Sequence, residues 1–511
     1  MSHSRNNPGA IPSHPVLSCA EARAWEAGLL KNEAAEWAAM EQAGESIAHA
    51  LLEDFKEIGG LPENAHLLVL VGKGNNGGDA LLAARTILSL RPTSRVVVLL
   101  CFGARALRPP AGRALDRLKT TGPGRVGVAT PAQAFASGAS YALCLDGIFG
   151  FQFRAPMDAA TATIVKAANG HPGITLRAAV DLPSGVGETN AKTIFRADFT
   201  YATGIVKRPV LSARVAQSVG RLRYLDLGFF DSAMPAAGER VLIPSILAPL
   251  AALRSSQTDK RTFGHVLIVG GSRSYPGAVL LATRAALRSG VGLVTAFVPK
   301  TLAPEYAAAH PEAMWVGCPE TARGGLAPGT LKLIKERLSR ATALIVGPGA
   351  SAELAVLKTI RAIVRNTNIP LVLDADALRA EVVAELKDRC FVCTPHAGEF
   401  ERIAPKLFEK GKITTPHGVL VLKGPLTRVT NGKVTYYSPF GGPVLARGGS
   451  GDILAGLIGG LLAQQPDAPL LAATRGVVWH GRAADLLARA HGQVAIEISQ
   501  ILEQLGPGLH P

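Results

Sequence analysis

Short, continuous apolar runs alternate with longer helix-patterned stretches along most of this chain. In the first half, residues 66–71, 95–100, 141–145 and 177–180 have strand length and are apolar on both faces, the pattern of buried parallel strands. Residues 20–52, rich in alanine and charge, read as one or two helices. Such alternation predicts an α/β fold, with a mostly parallel sheet covered by helices on both faces. The pattern weakens around residues 230–260, where Pro235, Pro244 and Pro249 precede Ser255, Ser256, Gln257 and Thr258, and a domain junction is expected near residue 240. It then restarts, with strand candidates at 265–269, 293–298, 343–346, 371–373, 391–393 and 419–422. No residue-level repeat relates the halves, so two separate α/β domains, 16–240 and 241–511, are expected. The polar opening, residues 1–15, holds Pro8, Pro12 and Pro15 and reads as a flexible tail without the apolar core of a signal peptide.

A length of 511 residues exceeds what one hydrophobic core usually serves, which agrees with two domains. Mean hydropathy is +0.22, yet no uninterrupted apolar stretch reaches membrane-spanning length. A cytoplasmic protein without a membrane partner is expected. The net charge of +15 suits an anionic partner. The basic residues are scattered and aromatics make up only 5%, so no nucleic-acid surface declares itself; a nucleotide fits as well. Cys390 and Cys393 form a CxxC match, but its middle residues are apolar and no second pair accompanies it. A buried strand explains it better than redox or zinc duty.

Candidate chemistry gathers where strands end. In the first half, Gly72-Lys73-Gly74-Asn75-Asn76-Gly77-Gly78-Asp79 follows one strand, Asp146-Gly147-Ile148-Phe149-Gly150 another, and Asp181-Leu182-Pro183-Ser184-Gly185 a third. Open α/β sheets bind ligands along that carboxyl edge. In the second half, the turns are Gly270-Gly271-Ser272, Gly347-Pro348-Gly349, Asp374-Ala375-Asp376, the run from Thr394 through His396 to Glu399, and Lys423-Gly424-Pro425-Leu426-Thr427. Gly448-Gly449-Ser450-Gly451-Asp452 then opens an apolar helix. Glycine turns expose backbone N–H groups to phosphate, and Asp452 beside them is placed to accept the proton of an attacking hydroxyl. Five polar turns at strand ends describe a nucleotide-sized crevice for phosphoryl transfer.

The first set of turns resembles the signatures of NAD(P)H-hydrate epimerases, as does the upstream Trp37-Ala38-Ala39-Met40-Glu41-Gln42-Ala43-Gly44. The resemblance implies a Rossmann-like three-layer domain that interconverts the R and S forms of hydrated NADH and NADPH. It also implies potassium held by Asn76, Asp146 and Ser184, oxygen donors suited to a hard cation. Substrate contacts fall on Asn75, Asn76, Gly77, Gly78, Asp79, Gly150, Phe151, Gln152, Phe153, Arg154, Ala155, Pro156 and Asp181. Epimerisation at a hydroxyl-bearing carbon moves a proton, and Asp181 is the candidate acid/base. Lys207, after the apolar 201–206 run, could assist, but a solvated lysine is the expectation. Ala80 stands where that family usually has glycine.

The Gly-x-Gly-Asp turn ending at Asp452 is similar to that of ribokinase-like enzymes. Together with residues 263–272, 275–278, 286–290 and 394–399 it resembles the NAD(P)H-hydrate dehydratase branch. That resemblance implies an ADP donor, with magnesium, and dehydration of the S hydrate to NADH or NADPH with release of AMP and phosphate. Lys423, Gly424, Pro425, Leu426, Thr427 and Gly451 match nucleotide-contacting positions; Ala278, Gly349, His396 and Asp452 match positions at the hydrated nucleotide. Ser351 departs from the pattern, where glycine often stands, as does Gly441-Gly442-Pro443, where Asn-Pro-Gly is commoner. A homo-oligomer is expected. Two alternatives stay open: a vitamin or sugar kinase with an accessory nucleotide domain, and a first half that binds without catalysing.

Overall fold

The computed structural model describes residues 11–409, 412, 413, 415 and 417–510. The chain divides into two compact units: His14–Val241 forms the first, and Leu242 onward, together with the described residues up to Ser13, the second. The expected tail is corrected at its end: residues 13–15 belong to a buried strand, β1 (Ser13–Leu17), because His14, Val16 and Leu17 find an apolar setting. The tail's first ten residues lie outside the described residues.

The first unit is built on β2 (His66–Val71), β3 (Arg95–Leu100), β4 (Val126–Val128), β5 (Tyr141–Gly147), β6 (Ile174–Val180), β7 (Phe199–Thr203) and β9 (Arg221–Leu225), while β8 (Val206–Lys207) pairs in parallel with β1. The seven-stranded sheet has the order β4-β3-β2-β5-β6-β7-β9, with every pairing parallel. Leu67, Val69 and Val71 of β2 enter one apolar layer, and Leu68 and Leu70 the other. Period-two burial on both faces is why these runs carry no polar alternation. The strand order reverses between β2 and β5, a switch point that opens a crevice at the strands' carboxyl ends.

After β10 (Glu239–Leu242) the second unit repeats the plan with different strands. These are β11 (His265–Val269), β12 (Leu293–Pro299), β13 (Met314–Cys318), β14 (Ala343–Val346), β15 (Leu371–Leu373), β16 (Phe391–Cys393), β19 (Gly418–Leu422), β20 (Thr427–Thr430) and β21 (Thr435–Ser438). The minor β17 (Phe408–Glu409) and β18 (Lys412–Ile413) pair antiparallel. The main order is β13-β12-β11-β14-β15-β16-β19-β20-β21, parallel through β19 and antiparallel at its last two pairings. Val266 and Ile268 face one core, Leu267 and Val269 the other. Cys393 is buried in β16, and all six cysteines are free thiols. Among the described residues no helix is long and apolar enough to cross a membrane.

Candidate active sites

In the first unit a cavity of about 520 Å³ lies at the strands' carboxyl edge. The helix Asn75–Leu90 follows β2 directly, bringing Asn75, Asn76 and Asp79 to the cavity in its first turns. The turn after β5 adds Gly150, Phe151, Gln152, Phe153, Arg154 and Pro156. Gly77 and Gly78 line no part of it. A Cβ on Gly77 would meet the carbonyl of Gly72 at 2.6 Å, and one on Gly78 the Met40 sulfur at 2.5 Å, so these two are glycine for helix packing. Ala155 is also absent from the lining. The Ala80 methyl packs towards Gly147, at 2.5 Å from where a Cβ there would stand, and leaves the cavity untouched.

Asp181 follows β6 with φ at +64°, a left-handed backbone rarely adopted by residues with a side chain. Such strain is tolerated where the surrounding structure fixes it, often at functional sites. Its Oδ1 accepts a 2.6 Å hydrogen bond from Lys207 Nζ. Lys207, expected in solvent, is only 1% exposed; it ends β8, and the Tyr201–Val206 region carries it inward. Glu26 Oε1 stands 3.7 Å from the same ammonium. Burial raises the carboxyl of Asp181, and Lys207 offsets part of that rise. Glu26 is pushed up to about 7 by burial, and Asp79 is raised by burial and by the neighbouring Asp181 and Glu26 charges. Three acids therefore share one lysine, an arrangement able to hold and pass protons. Glu26 carried no sequence signal, being a lone acid on the helix Cys19–Leu29.

Behind this group lies a second network. Asp146 is fully buried; its Oδ1 accepts from Ser184 Oγ at 2.7 Å and its Oδ2 from the Ser184 amide at 2.7 Å. Ser184 Oγ accepts from Phe149 N, and Asn76 Nδ2 donates to the Phe149 carbonyl. Among the described residues no lysine or arginine pairs with Asp146, and burial pushes it up to about 6. A buried carboxylate among neutral oxygen donors, without a counter-charge, fits a monovalent cation.

In the second unit, Gly349 and Ala278 adjoin: a Cβ on Gly349, whose φ is +63°, would come within 2.8 Å of the Ala278 methyl. Ser272 Oγ donates to the Gly349 carbonyl at 2.8 Å. Lys423, after β19, donates to Asp374 Oδ1 at 2.9 Å and stands 3.9 Å from Glu399. Asp374, after β15, also accepts from Thr394 Oγ1 at 2.7 Å. Its turn was noticed in the sequence, but its pairing with Lys423 requires the sheet. His396 accepts at Nδ1 from Gly398 N, at 3.1 Å, which leaves Nε2 to donate towards Glu399, 3.4 Å away. Gly424, Pro425 and Leu426 turn the chain from β19 into β20, which begins at Thr427.

The helix Ser450–Gln464 starts after Gly449, whose φ is +93° and which offers no side-chain cap. Ser450 N donates to the Arg447 carbonyl at 3.3 Å, and the N–H groups of Gly451 and Asp452 that follow it are the ones left for an anion. Gly451 lies against Lys423, 3.1 Å from its Nζ to where a Cβ would be, so a side chain there would crowd the ammonium. Asp452, in the same turn, is pushed up to about 7 by burial and the charge of Asp374, with Lys423 opposing. An acid with that affinity is suited to exchange a proton near neutrality.

Mostly parallel α/β units that bring acid–lysine pairs to the sheet's carboxyl edge have the arrangement of α/β enzymes. Residues 37–209 match the family model described as YjeF-related protein N-terminus, and residues 266–506 that of NAD(P)H-hydrate dehydratase. A bifunctional NAD(P)H-hydrate repair enzyme of Gloeobacter violaceus is 35% identical over 97% of each chain; its Moorella thermoacetica counterpart is 32% identical over 91% of each. A solved ADP/ATP-dependent NAD(P)H-hydrate dehydratase from Bacillus subtilis, co-crystallised with ATP/Mg2+, is 26% identical. It covers 50% of this chain and 92% of that one, with a TM-score of 0.40. The chain belongs to the family of bifunctional NAD(P)H-hydrate repair enzymes.

Proposed function

We propose that the first unit interconverts the R and S hydrates of NADH and NADPH, and that the second dehydrates the S form at the expense of ADP. One observation carries this reading: each unit has its own acid–lysine centre, Asp181–Lys207 at 2.6 Å and Asp374–Lys423 at 2.9 Å. In the first, Asp181 takes the proton of the hydrate's hydroxyl as the neighbouring ring C–N bond opens to a carbonyl and the nitrogen takes the electron pair. Reclosure on the carbonyl's other face re-forms the bond, and the proton returns to the oxygen, with Lys207 and Glu26 beside Asp181 to hold charge and proton. In the second, Asp452 accepts the hydroxyl proton as the oxygen attacks the terminal phosphorus of ADP. Lys423 and the uncapped helix start meet phosphate oxygens. The P–O bond to AMP breaks; elimination then expels phosphate instead of hydroxide, a far poorer leaving group, while the adjacent ring carbon gives up a proton, and the C=C bond of the reduced nicotinamide is restored.

Asn76, Asp146 and Ser184 are the residues to hold potassium, which supplies a positive charge against the buried Asp146 carboxylate. Asp374, Asp376, Glu399 and Asp452 outnumber Lys423, a donor set that fits a nucleotide accompanied by magnesium better than a bare polyanion. We place the protein in the cytoplasm as a homo-oligomer. Incubating mixed R and S hydrates with ADP, or with ATP, tests the whole reading. Full conversion with stoichiometric AMP supports it. A stable phosphorylated product indicates a kinase instead, and arrest after the S form is consumed removes the epimerase half.

A further inference from the structure

The first unit's cavity is electrically two-ended. Its acid end holds Asp181, Asp79 and Glu26 around Lys207, while Lys73, Arg108 and Arg154 line the same cavity without an ion-pair partner among the described residues. Two carboxylates also line the cavity beside these cations. Asp158 turns both oxygens to Thr161, capping a helix, and Glu36 forms no ion pair among the described residues. Lys73 and Arg108 are held together, since the Arg108 amide donates to the Lys73 carbonyl at 2.8 Å. The Arg108 guanidinium lies 3.9 Å from where a Cβ of Gly74 would stand, so the glycine leaves that approach free. Lys73 Nζ sits 4.5 Å over the Phe102 ring, and Phe102, Phe149 and Phe153 follow at centroid spacings of 5.8 and 5.0 Å. An aromatic wall thus runs from the cations along the turn that also presents Phe151 to Lys207.

We propose that Lys73 and Arg108 form a phosphate clamp, which fixes a dinucleotide with its reacting ring at Asp181 and a phosphate between the two cations. Unpaired cations facing a shared cavity want an anion, and a guanidinium beside an ammonium suits phosphate oxygens. The substrate class read for this unit carries a pyrophosphate in both forms and a 2′-phosphate in one. The clamp rests on the epimerase reading for its substrate, but its chemistry is that of any phosphate on the dinucleotide. It acts through binding and leaves the proton steps to Asp181 and Lys207.

The test uses the full chain carrying Lys73→Ala and Arg108→Ala, with Arg108→Lys as the conservative control. Losing two charge-assisted contacts should raise the epimerase KM by roughly tenfold or more with kcat unchanged. Arg108→Lys should recover part of that loss, and added salt should raise the wild-type KM more than the double variant's. Equal KM rises for the NADH and NADPH hydrates assign the clamp to the pyrophosphate; a larger rise for the NADPH hydrate assigns it to the 2′-phosphate. An unchanged KM, or a fall in kcat at constant KM, overturns it. Calorimetry with 2′-phospho-ADP-ribose keeps the clamp separable from the epimerase reading. If the wild type never exchanges epimers, that reading fails. The clamp still stands if the double variant loses one of the wild type's binding sites for this probe, and falls if the isotherms coincide.

Discussion

Asp181–Lys207 and Asp374–Lys423 are both buried-acid and lysine pairs at strand ends, yet they are built for different tasks. Lys207 is 1% exposed and Lys423 23%. The first lysine is enclosed by acids, and in the proposed reaction its charge keeps them in play as proton carriers. The second stands beside an uncapped helix start, with its charge open to a phosphate. In the first unit the proposed reacting acid, Asp181, is part of the pair; in the second the proposed base, Asp452, is a third group whose proton affinity the pair adjusts. Under the proposed reactions the same fold element, a turn after a parallel strand, serves proton chemistry or phosphate chemistry according to how far its lysine is sealed.

Removing either reacting acid should break this comparison most visibly. Asp452→Asn should cost dehydration on the order of 10²–10⁴-fold and leave epimerisation intact, and Asp181→Asn should do the reverse. Separate assays of epimer exchange and of AMP release read the two effects. Loss of both activities from either change, in a folded protein, contradicts two independent centres.

The lysines should differ in kind. Lys207→Met leaves a buried carboxyl without its counter-charge, so Asp181 keeps its proton and epimerase kcat should fall roughly a hundredfold. Lys423→Met should act mainly on ADP, raising its KM by about tenfold with the fold intact. If both substitutions move only KM, the distinction between a sealed and an open lysine is wrong.

Most of the sheet was legible in advance because a strand buried on both faces needs no partner to declare itself. Residues 66–71, 265–269 and 391–393 have the same bounds in sequence and structure. The edges were not legible: β20 and β21 mix polar and apolar residues, and β1 looked like a tail because its few apolar residues sit among prolines. Within the sites, motif residues such as Asn76, Asp146 and Asp452 announced themselves through glycine-rich turns. Lys207 and Glu26 did not. Their place in the site comes from burial and from a neighbour, Asp181, that is 26 positions from one and far from the other in the chain. A lone charge in sequence defaults to solvent, and only the fold reverses that.

The pH response should sharpen the comparison further. With Asp452 pushed up to about 7, dehydration should fall as pH drops through that value, because the protonated carboxyl cannot accept the hydroxyl proton. Lys423 opposes the rise and Asp374 contributes to it. Hence Lys423→Gln should move the acid limb to higher pH and Asp374→Asn to lower pH. Rate profiles with the same midpoint in all three proteins would show that these charges do not set the affinity of Asp452.

The smallest effect concerns backbone strain, which both units contain. Asp181 and Ser351 each adopt positive φ, +64° and +82°, where a side chain costs about 1 kcal/mol or more. At Asp181 the proposed proton step requires the carboxylate, so the strain accompanies that role. At Ser351 the amide donates to Asp376 at 2.9 Å, a bond glycine keeps, and the side chain offers only a 3.5 Å contact to the Glu353 amide. Ser351→Gly should therefore raise stability by up to about 1 kcal/mol, less the entropy glycine adds to the unfolded chain. A higher urea midpoint with unchanged dehydratase KM is the expected result. A lower midpoint would mean that the Ser351 hydroxyl contributes more than its geometry indicates, and that strain in this unit, as at Asp181, is held for a purpose.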